Sequence, residues 1–320
     1  MASSGDLVVI VGTGGTIAGT AEHGGDSVGY RAASLDVRSL VAAVPMLAGL
    51  PLECEQLAQL DSKDMDHATW RLLAGAVAGH LANPAVRGVV VTHGTDTLEE
   101  TAYFLHRVLA PTKPVVLTAA MRPANALLAD GPQNLADAVT LARSAAWCGV
   151  QAVLGARVYA AADLRKLHGW QLDAFSGGDA GPLGLLQDGV LRRFRELPPI
   201  APHPAAQRLA DGLRDWPVVD IVTSHAGARG GLIDALVASG TQGIVIAGTG
   251  NGTVHEALAQ AAQRARAAGV TVVRASRCLG SGVFGAPADA LPSYAALTPW
   301  QARIELMLDL ALEADSRSGS

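Results

Sequence analysis

Two segments of the chain place threonine in a glycine-rich stretch directly after a short apolar run. The first, residues 12–19, reads Gly-Thr-Gly-Gly-Thr-Ile-Ala-Gly and follows the apolar residues 7–11. The second, residues 92–100, reads Thr-His-Gly-Thr-Asp-Thr-Leu-Glu-Glu and follows residues 88–91. Ligands of α/β proteins bind beyond the carboxyl ends of strands, so we expect both hydroxyl clusters at one site. Because threonine is a weak nucleophile that needs a base, the pattern predicts an activated-nucleophile site.

The glycines of the first segment do not form a dinucleotide-binding fingerprint. Ile17 stands where the pattern G-x-G-x-x-G requires its third glycine, which disfavours a nucleotide-binding oxidoreductase. Two interpretations of the segment are open. Gly14 and Gly15 either make a tight strand-to-helix turn and nothing more, or they let the backbone approach a ligand while the Thr16 hydroxyl is exposed to it.

The second segment offers Thr95 and Asp96 at the end of a predicted strand. A carboxylate in this position suits the ammonium group of a ligand. Three neighbouring residues are expected to serve the start of the next helix rather than catalysis: Thr97 as its cap, and Glu99 and Glu100 in its first turn.

Three further polar residues are candidates for the site. His93 could act as a base, although a histidine at a strand end is more often structural. Arg122 could bind a carboxylate, but pairing with Asp130 to brace a loop is the favoured role. Lys166 is one of only three lysines in the chain. A desolvated lysine can have its pKa lowered far enough to serve as a base, and a surface lysine is the equal alternative.

Short runs of valine and isoleucine alternate with helical patterns rich in alanine and leucine, which is typical of a parallel sheet with crossover helices. The predicted strands are residues 7–11, 89–92, 115–118, 151–154, 218–223, 244–247 and 270–274. The predicted helices are residues 68–81, 98–109, 134–146 and 254–268. Crossovers of this kind are nearly always right-handed, which favours a doubly wound α/β fold.

The alternating pattern lapses between residues 191 and 216, where residues 197–204 are dense in proline. We interpret 191–216 as an interdomain linker. The sequence thus predicts a larger N-terminal catalytic α/β domain, residues 1–190, with a mostly parallel sheet flanked by helices. A smaller α/β domain, residues 217–320, follows it.

Composition excludes several partner classes. The net charge is −5 and no run is rich in lysine or arginine, so we expect no nucleic-acid partner. The most apolar stretch, residues 40–52, contains two prolines and is shorter than the roughly 20 residues of a membrane span. The three cysteines match no metal spacing and fit buried thiols in a reducing compartment. We therefore expect a cytoplasmic protein. A periplasmic protein whose signal has been removed is the alternative.

Together the two threonine segments resemble the bacterial-type L-asparaginase family, which includes the glutaminase-asparaginases. The resemblance continues through residues 120–123, 130–135 and 247–252 and covers about residues 7–312. It implies hydrolysis of the side-chain amide of L-asparagine to aspartate and ammonia, with a weaker glutaminase activity and without metal or organic cofactor. An amino-acid-binding or sensing homologue with weak turnover is the alternative.

The resemblance also implies catalytic roles. Thr16 corresponds to the nucleophile that forms an acyl-enzyme, and Tyr30 to the tyrosine beside it. Thr95, Asp96 and Lys166 correspond to the family's second catalytic group, in which the lysine helps to deprotonate a hydroxyl or a water. In the family this aspartate also holds the α-ammonium of the substrate.

Further residues are implied in substrate binding. Ser62 matches the serine that holds the α-carboxylate, and main-chain groups near Gly15, Gly94 and Ala120 would surround the amide. The main chain of Thr95 belongs to the same set. One N–H group of the set would serve as the oxyanion donor. Asn251 matches a residue that reaches the neighbouring subunit's site, which implies a dimer at least. The family is usually a homotetramer built as a dimer of dimers, and the resemblance favours that state here.

Two departures from the family pattern concern specificity. Lys63 stands beside Ser62 where many members carry glutamine. Residues 278–292 look about five residues shorter than in well-known members. Asp289 is the nearest candidate for the acidic residue that the partner subunit donates to the α-ammonium. Residues 20–31 contain several glycines, and we expect them to form a mobile loop that closes over the site.

Overall fold

The computed structural model of the protein describes residues 5–23, 29–144, 146–199, 201–206, 216–280, 282–285 and 290–318. Contacts between Cα atoms divide the chain into two compact units, Met1–Pro202 and His203–Ser320, called here the N-terminal and C-terminal units. The last described strand of the N-terminal unit ends at Arg193, inside the segment expected to be a linker.

The N-terminal unit is built on an eight-stranded sheet. Its strands are β1 (Leu7–Gly14), β2 (Leu52–Leu60), β3 (Val86–Thr92), β4 (Pro114–Thr118), β5 (Gly149–Leu154), β6 (Arg157–Ala160), β9 (Gly184–Gln187) and β10 (Val190–Arg193). The spatial order is β10-β9-β6-β5-β4-β3-β1-β2. The five strands from β2 to β5 are parallel, and β6, β9 and β10 add an antiparallel edge. A separate two-stranded hairpin pairs β7 (Arg165–Lys166) with β8 (Phe175–Ser176).

Helices cover both faces of this sheet. They are α1 (Val37–Ala42), α2 (His67–Ala82), α3 (Leu98–Leu109) and α4 (Gly131–Ser144). On one face α1 and α4 join the alternate side chains of β1 and β3 in one buried cluster. On the other face α2 packs against β3 and α3 against β5, and Trp70 stacks on Phe104 with ring centroids 4.9 Å apart. Burial on both faces explains why the central strands are unbroken valine and isoleucine runs.

The C-terminal unit has its own three-stranded parallel sheet. The strand order is β11-β12-β13, for β11 (Val219–Thr223), β12 (Gly243–Gly248) and β13 (Thr271–Ser276). Its helices include α5 (Gly231–Ala238), α6 (Glu256–Ala267) and α7 (Pro299–Ser318). Side chains of α5, α6 and the sheet share one core, which contains Ile233, Ile246 and Leu258. The predicted fold class, a larger unit with a mostly parallel sheet and a smaller α/β unit, is confirmed.

The sequence pattern missed the edge strand β2 and the short strands β6, β9 and β10. Strand β2 is an edge strand whose residues are all partly or fully exposed, and it reads Leu-Glu-Cys-Glu-Gln-Leu-Ala-Gln-Leu rather than a valine run. Strands β6, β9 and β10 have four residues each, too few for a clear period. The expectation of buried thiols is also wrong, since Cys148 and Cys278 are exposed and Cys54 is half-buried. Among the described residues, no helix combines the length and apolar character needed to cross a membrane.

Candidate active site

Glycines allow the turns that follow β1 and β3 to approach each other closely. These strands are parallel neighbours with Gly12 opposite Thr92, so their following loops leave the sheet at the same edge. Gly15 has φ 81°, in the left-handed region that favours glycine. A Cβ added to Gly15 would lie 2.3 Å from the Gly94 nitrogen, which no side chain could tolerate. The two threonine-bearing turns are therefore in direct backbone contact.

Thr16 follows this contact in a single 3₁₀ turn, Thr16–Ala18. Its side chain is nearly buried, at 6 % exposed, and its Oγ1 lies 2.5 Å from the hydroxyl oxygen of Tyr30. Tyr30 is placed by a short antiparallel bridge between Thr20 and Arg31. The structure thus brings the hydroxyl groups of Thr16 and Tyr30 into a hydrogen bond.

Thr95, Asp96 and Lys166 form the second cluster. The Lys166 Nζ lies 3.0 Å from Thr95 Oγ1 and 2.6 Å from Asp96 Oδ1. The Lys166 side chain is mostly buried, at 15 % exposed, whereas that of Asp96 is about half exposed. The surface alternative for Lys166 is therefore wrong. An amine held between a hydroxyl and a carboxylate can take a proton from the first while the second compensates its charge.

Ser62 lies beneath this cluster, in the 3₁₀ turn Ser62–Asp64 that follows β2. Its Oγ accepts a hydrogen bond from the Asp96 N–H at 3.2 Å, which leaves the Ser62 hydroxyl proton available to a ligand. Thr97 was expected to cap α3, but its Oγ1 makes no capping bond and instead donates to the Ser62 carbonyl at 2.7 Å. The Thr97 hydroxyl thereby links the serine turn to the start of α3.

The exposed Lys63 side chain is engaged by its neighbours. Its Nζ lies 3.0 Å from Asp61 Oδ2 and 2.9 Å from Asp64 Oδ2. Hydrogen bonds to Asp64 and Asp61 raise the pKa of Lys63 above its usual value. The residue that departs from the family pattern is thus paired with two carboxylates on the surface.

The end of β4 lies beside the end of β3, with Thr118 opposite Thr92. Ala120 is fully buried there, and the preceding residue's carbonyl accepts a hydrogen bond from the Asn134 amide at 2.9 Å. Asp130 accepts the main-chain N–H groups of Met121 and Arg122 at 2.9 and 3.0 Å. The expected brace between Arg122 and Asp130 therefore exists through the main chain. The Arg122 guanidinium instead donates to the Leu128 carbonyl at 3.0 Å.

His93 is completely buried and stabilises the turn that follows β3. Its Nδ1 lies 2.7 Å from the Gly94 carbonyl oxygen, which can only accept, so Nδ1 carries the proton. Its Nε2 accepts from Thr101 Oγ1 at 3.0 Å, and that oxygen accepts from Trp70 Nε1 at 2.8 Å. Burial lowers the pKa of His93 to about 4, so the ring is neutral. These contacts give it a structural role, with no free nitrogen for a substrate.

Glu99 is the residue near the site that the sequence interpretation missed. It was expected to serve only the start of α3, but it is nearly buried, at 6 % exposed, and its Oε2 accepts the main-chain N–H of Lys166 at 2.5 Å. Burial raises its pKa to about 7. A signal was present: Glu99 shares a helix face with the buried Ala102 and His106, where a carboxylate needs a partner.

Asn251 belongs to the C-terminal unit, in the turn after β12. Its Nδ2 donates to the Phe284 carbonyl and its Oδ1 accepts the Phe284 N–H, both at 2.7 Å. The amide is thereby fixed in orientation. Asp289, like Gly24 and Gly25 of the expected closing loop, lies outside the described residues. Among the residues the structure describes, no group of three or more His, Cys, Asp and Glu side chains is arranged to hold a metal ion.

Comparison with known proteins places these features in a family. A model of the asparaginase N-terminal domain matches residues 7–198, and a model of the glutaminase/asparaginase C-terminal domain matches residues 218–318. L-asparaginase 2 from Bacillus subtilis (strain 168) is 37 % identical over 314 residues, covering 96 % of this chain and 83 % of that protein. Glutaminase-asparaginase from Pseudomonas fluorescens biotype A is 34 % identical over 325 residues, covering 97 % and 88 %.

A solved structure agrees with both matches. The crystal structure of a probable cytoplasmic L-asparaginase from Campylobacter jejuni superposes with a TM-score of 0.89 at 36 % identity, covering 95 % of each chain. Since the two family models together span nearly the whole chain, this protein belongs to the asparaginase family.

Proposed function

We propose that this chain hydrolyses the side-chain amide of L-asparagine to L-aspartate and ammonia, through an acyl-enzyme on Thr16. The observation that carries the proposal is a pair of hydroxyl groups at adjacent strand ends, each with its own proton partner. Thr16 is paired with Tyr30 at 2.5 Å, and Thr95 with Lys166 at 3.0 Å. The names of the relatives, L-asparaginase and glutaminase-asparaginase, support the substrate class.

In the acylation half, the Thr16 oxygen attacks the amide carbon of the substrate. The threonine proton leaves through the Tyr30 hydroxyl and is delivered to the amide nitrogen as the C–N bond breaks, so that ammonia departs and an ester remains on Thr16. A nucleophile buried to this degree is shielded from bulk water, which protects it from solvent competition for the hydrogen bond.

In the deacylation half, a water molecule attacks the ester carbon. The cluster of Thr95, Lys166 and Asp96 takes a proton from this water and returns it to the Thr16 oxygen as the ester C–O bond breaks, so that Thr16 is restored and aspartate is released. Asp96 then has two roles, because one of its oxygens holds Lys166 while the exposed part of its carboxylate is free to bind the α-ammonium of the substrate.

The α-carboxylate of the substrate is assigned to the Ser62 hydroxyl. In its bond with Asp96 the Ser62 oxygen accepts the main-chain N–H, so the hydroxyl proton can be donated to the substrate. The oxyanion donor is assigned to the Thr95 N–H. A trans peptide points its C=O and N–H in opposite directions. Because His93 holds the Gly94 carbonyl at 2.7 Å, the Thr95 N–H is turned away from the buried ring. One such donor contributes about 3 kcal/mol to lowering the barrier.

The finer assignments follow the family. We infer a glutaminase activity weaker than the asparaginase activity, a homotetramer built as a dimer of dimers, and a cytoplasmic location like that named for the Campylobacter jejuni protein. Asn251 is assigned to the neighbouring subunit's site, where its orientation is supported by the two bonds to Phe284. The domain limits 1–190 and 217–320, with the linker 191–216, are retained as part of this proposal.

The test measures ammonia release from L-asparagine and L-glutamine side by side, for the wild type and for Thr16→Ala and Thr95→Ala. Both variants are expected to lose at least a thousandfold in kcat. Thr13→Ala is the matched control, since this buried hydroxyl donates to the Thr92 carbonyl at 2.9 Å outside the two pairs. An ester on Thr16 should be trapped by mass spectrometry after rapid acid quench. Wild-type turnover in Thr16→Ala would overturn the proposal.

A further inference from the structure

Lys166 lies in a two-residue strand that provides no hydrogen-bond acceptor for its main-chain N–H. Strand β7 has two residues and pairs only with β8, outside the eight-stranded sheet. In an antiparallel ladder alternate residues point their N–H groups to the partner strand. The Leu167 N–H donates to the Ala174 carbonyl at 2.7 Å, so the N–H of Lys166 points away from β8. The backbone of the lysine therefore needs an acceptor from elsewhere in the molecule.

Glu99 supplies that acceptor. Its Oε2 receives the Lys166 N–H at 2.5 Å, across 67 positions of sequence. Glu99 stands in the first turn of α3, and the residues just before that helix, Thr95 and Asp96, bind the Lys166 ammonium. One helix start thus holds Lys166 at two points, the main chain and the end of the side chain.

We propose that Glu99 is a positioning residue for Lys166, which fixes its backbone so that the amine reaches Thr95 and Asp96 and which, when ionised, also attracts the ammonium form. This inference rests on the proposed function, in which Lys166 takes part in proton transfer. Glu99 accepts the Lys166 N–H at every pH, and it attracts the Lys166 ammonium only when its carboxyl group is charged.

The charge on Glu99 changes near neutral pH. Its pKa is raised to about 7, chiefly by burial and also by the neighbouring Glu100 on α3, against the lowering effect of the main-chain bond from Lys166 and of the charges of Arg165 and Lys166 on β7. A carboxylic acid and a carboxylate both retain an acceptor oxygen, so the bond to the Lys166 N–H survives in either form. Above pH 7 the added negative charge favours the ammonium and opposes its use as a base.

The experiment compares Glu99→Gln, Glu99→Ala and Lys166→Ala with the wild type in full pH profiles of kcat and KM for L-asparagine. Glu99→Gln keeps an acceptor and removes the charge. It should keep its maximal kcat within about threefold while the pH of half-maximal kcat moves down by roughly one unit. Glu99→Ala removes the acceptor, and its kcat should fall at least tenfold with KM changed less than threefold.

Glu100→Gln is the matched control, since it makes the same change in charge one residue along the helix. It should reproduce neither effect. If Glu99→Ala does not fold, the pH profile of Glu99→Gln decides, and an unshifted profile overturns the inference. Equal loss of kcat in Glu99→Gln and Glu99→Ala, or a rise in KM as the main effect, overturns it as well. If Lys166→Ala keeps wild-type activity, the proposed part of Lys166 in proton transfer fails, whereas an inactive wild type would overturn the proposed function itself, and the two results are distinguishable.

Discussion

His93 and Glu99 are both buried, and burial moves their pKa values in opposite directions. The pKa of His93 falls to about 4 and that of Glu99 rises to about 7, so both prefer the neutral form in the folded protein. The neutral histidine is what allows Nδ1 to donate to Gly94 and Nε2 to accept from Thr101 at the same time. The turn that presents Thr95 therefore depends on a ring that must not be protonated.

We predict that His93→Gln makes stability less dependent on pH in the acid range. Between about pH 6.5 and 4 the unfolded chain binds a proton at this histidine that the folded chain does not, so stability is lost as the pH falls through this window. The full effect is about 3 kcal/mol for one site. Melting temperatures at pH 7 and pH 5 should differ more in the wild type than in the variant.

His168→Gln provides the control for this comparison, because His168 is exposed in the β7–β8 hairpin. The melting temperature of His168→Gln should change between pH 7 and pH 5 by as much as that of the wild type. A variant His93→Gln whose melting temperature falls as steeply as that of the wild type between pH 7 and pH 5 would show that other groups dominate acid unfolding.

At the scale of elements, the site depends on how closely the ends of β1 and β3 approach. We predict that Gly15→Ala lowers kcat/KM at least a hundredfold, because its Cβ would meet the Gly94 backbone at 2.3 Å and displace Thr16 from Thr95. Gly49→Ala is the matched control: its φ of 78° carries similar backbone strain, but nothing lies within 4 Å of an added Cβ. Both should lose about 1 kcal/mol of stability from the backbone, and only the first should lose activity.

Loss of activity in Gly49→Ala, or full activity in Gly15→Ala, would contradict the close-approach argument. The measurement is steady-state ammonia release together with melting temperature, so that strain and displacement are separated.

The parts of the site that could be predicted from sequence are those fixed by local pattern. Thr16 and Thr95 lie at strand ends that valine runs mark clearly, and the limits 98–109 predicted for α3 agree with the observed Leu98–Leu109. The contact from Glu99 to Lys166 could not be predicted, because it joins residues 67 positions apart through a two-residue strand. For the same reason the Thr97 hydroxyl, assigned to a cap by its position, binds the turn at Ser62 instead.

At the scale of the whole molecule, the candidate catalytic residues and Asn251 belong to different units of the chain. Residues from Thr16 to Lys166 all lie in the N-terminal unit, whereas Asn251 lies in the C-terminal unit with its amide fixed on Phe284. Our proposal assigns Asn251 to a neighbouring subunit's site. If this is so, each complete site takes its threonines from one chain and its Asn251 from another.

Shared sites predict complementation between defective subunits. Thr16→Ala alone should be inactive, and Asn251→Ala alone should show a KM raised about tenfold, as for one lost hydrogen bond of roughly 1.4 kcal/mol. After the two variants are mixed, dissociated and reassembled, hybrids contain sites with an intact Thr16 from one chain and an intact Asn251 from the other. A fraction of the activity should then regain the wild-type KM. Thr16→Ala mixed with Thr95→Ala should gain nothing, since both residues belong to the same unit of one chain. A mixture that behaves as the sum of its separate variants would place Asn251 outside the neighbouring site.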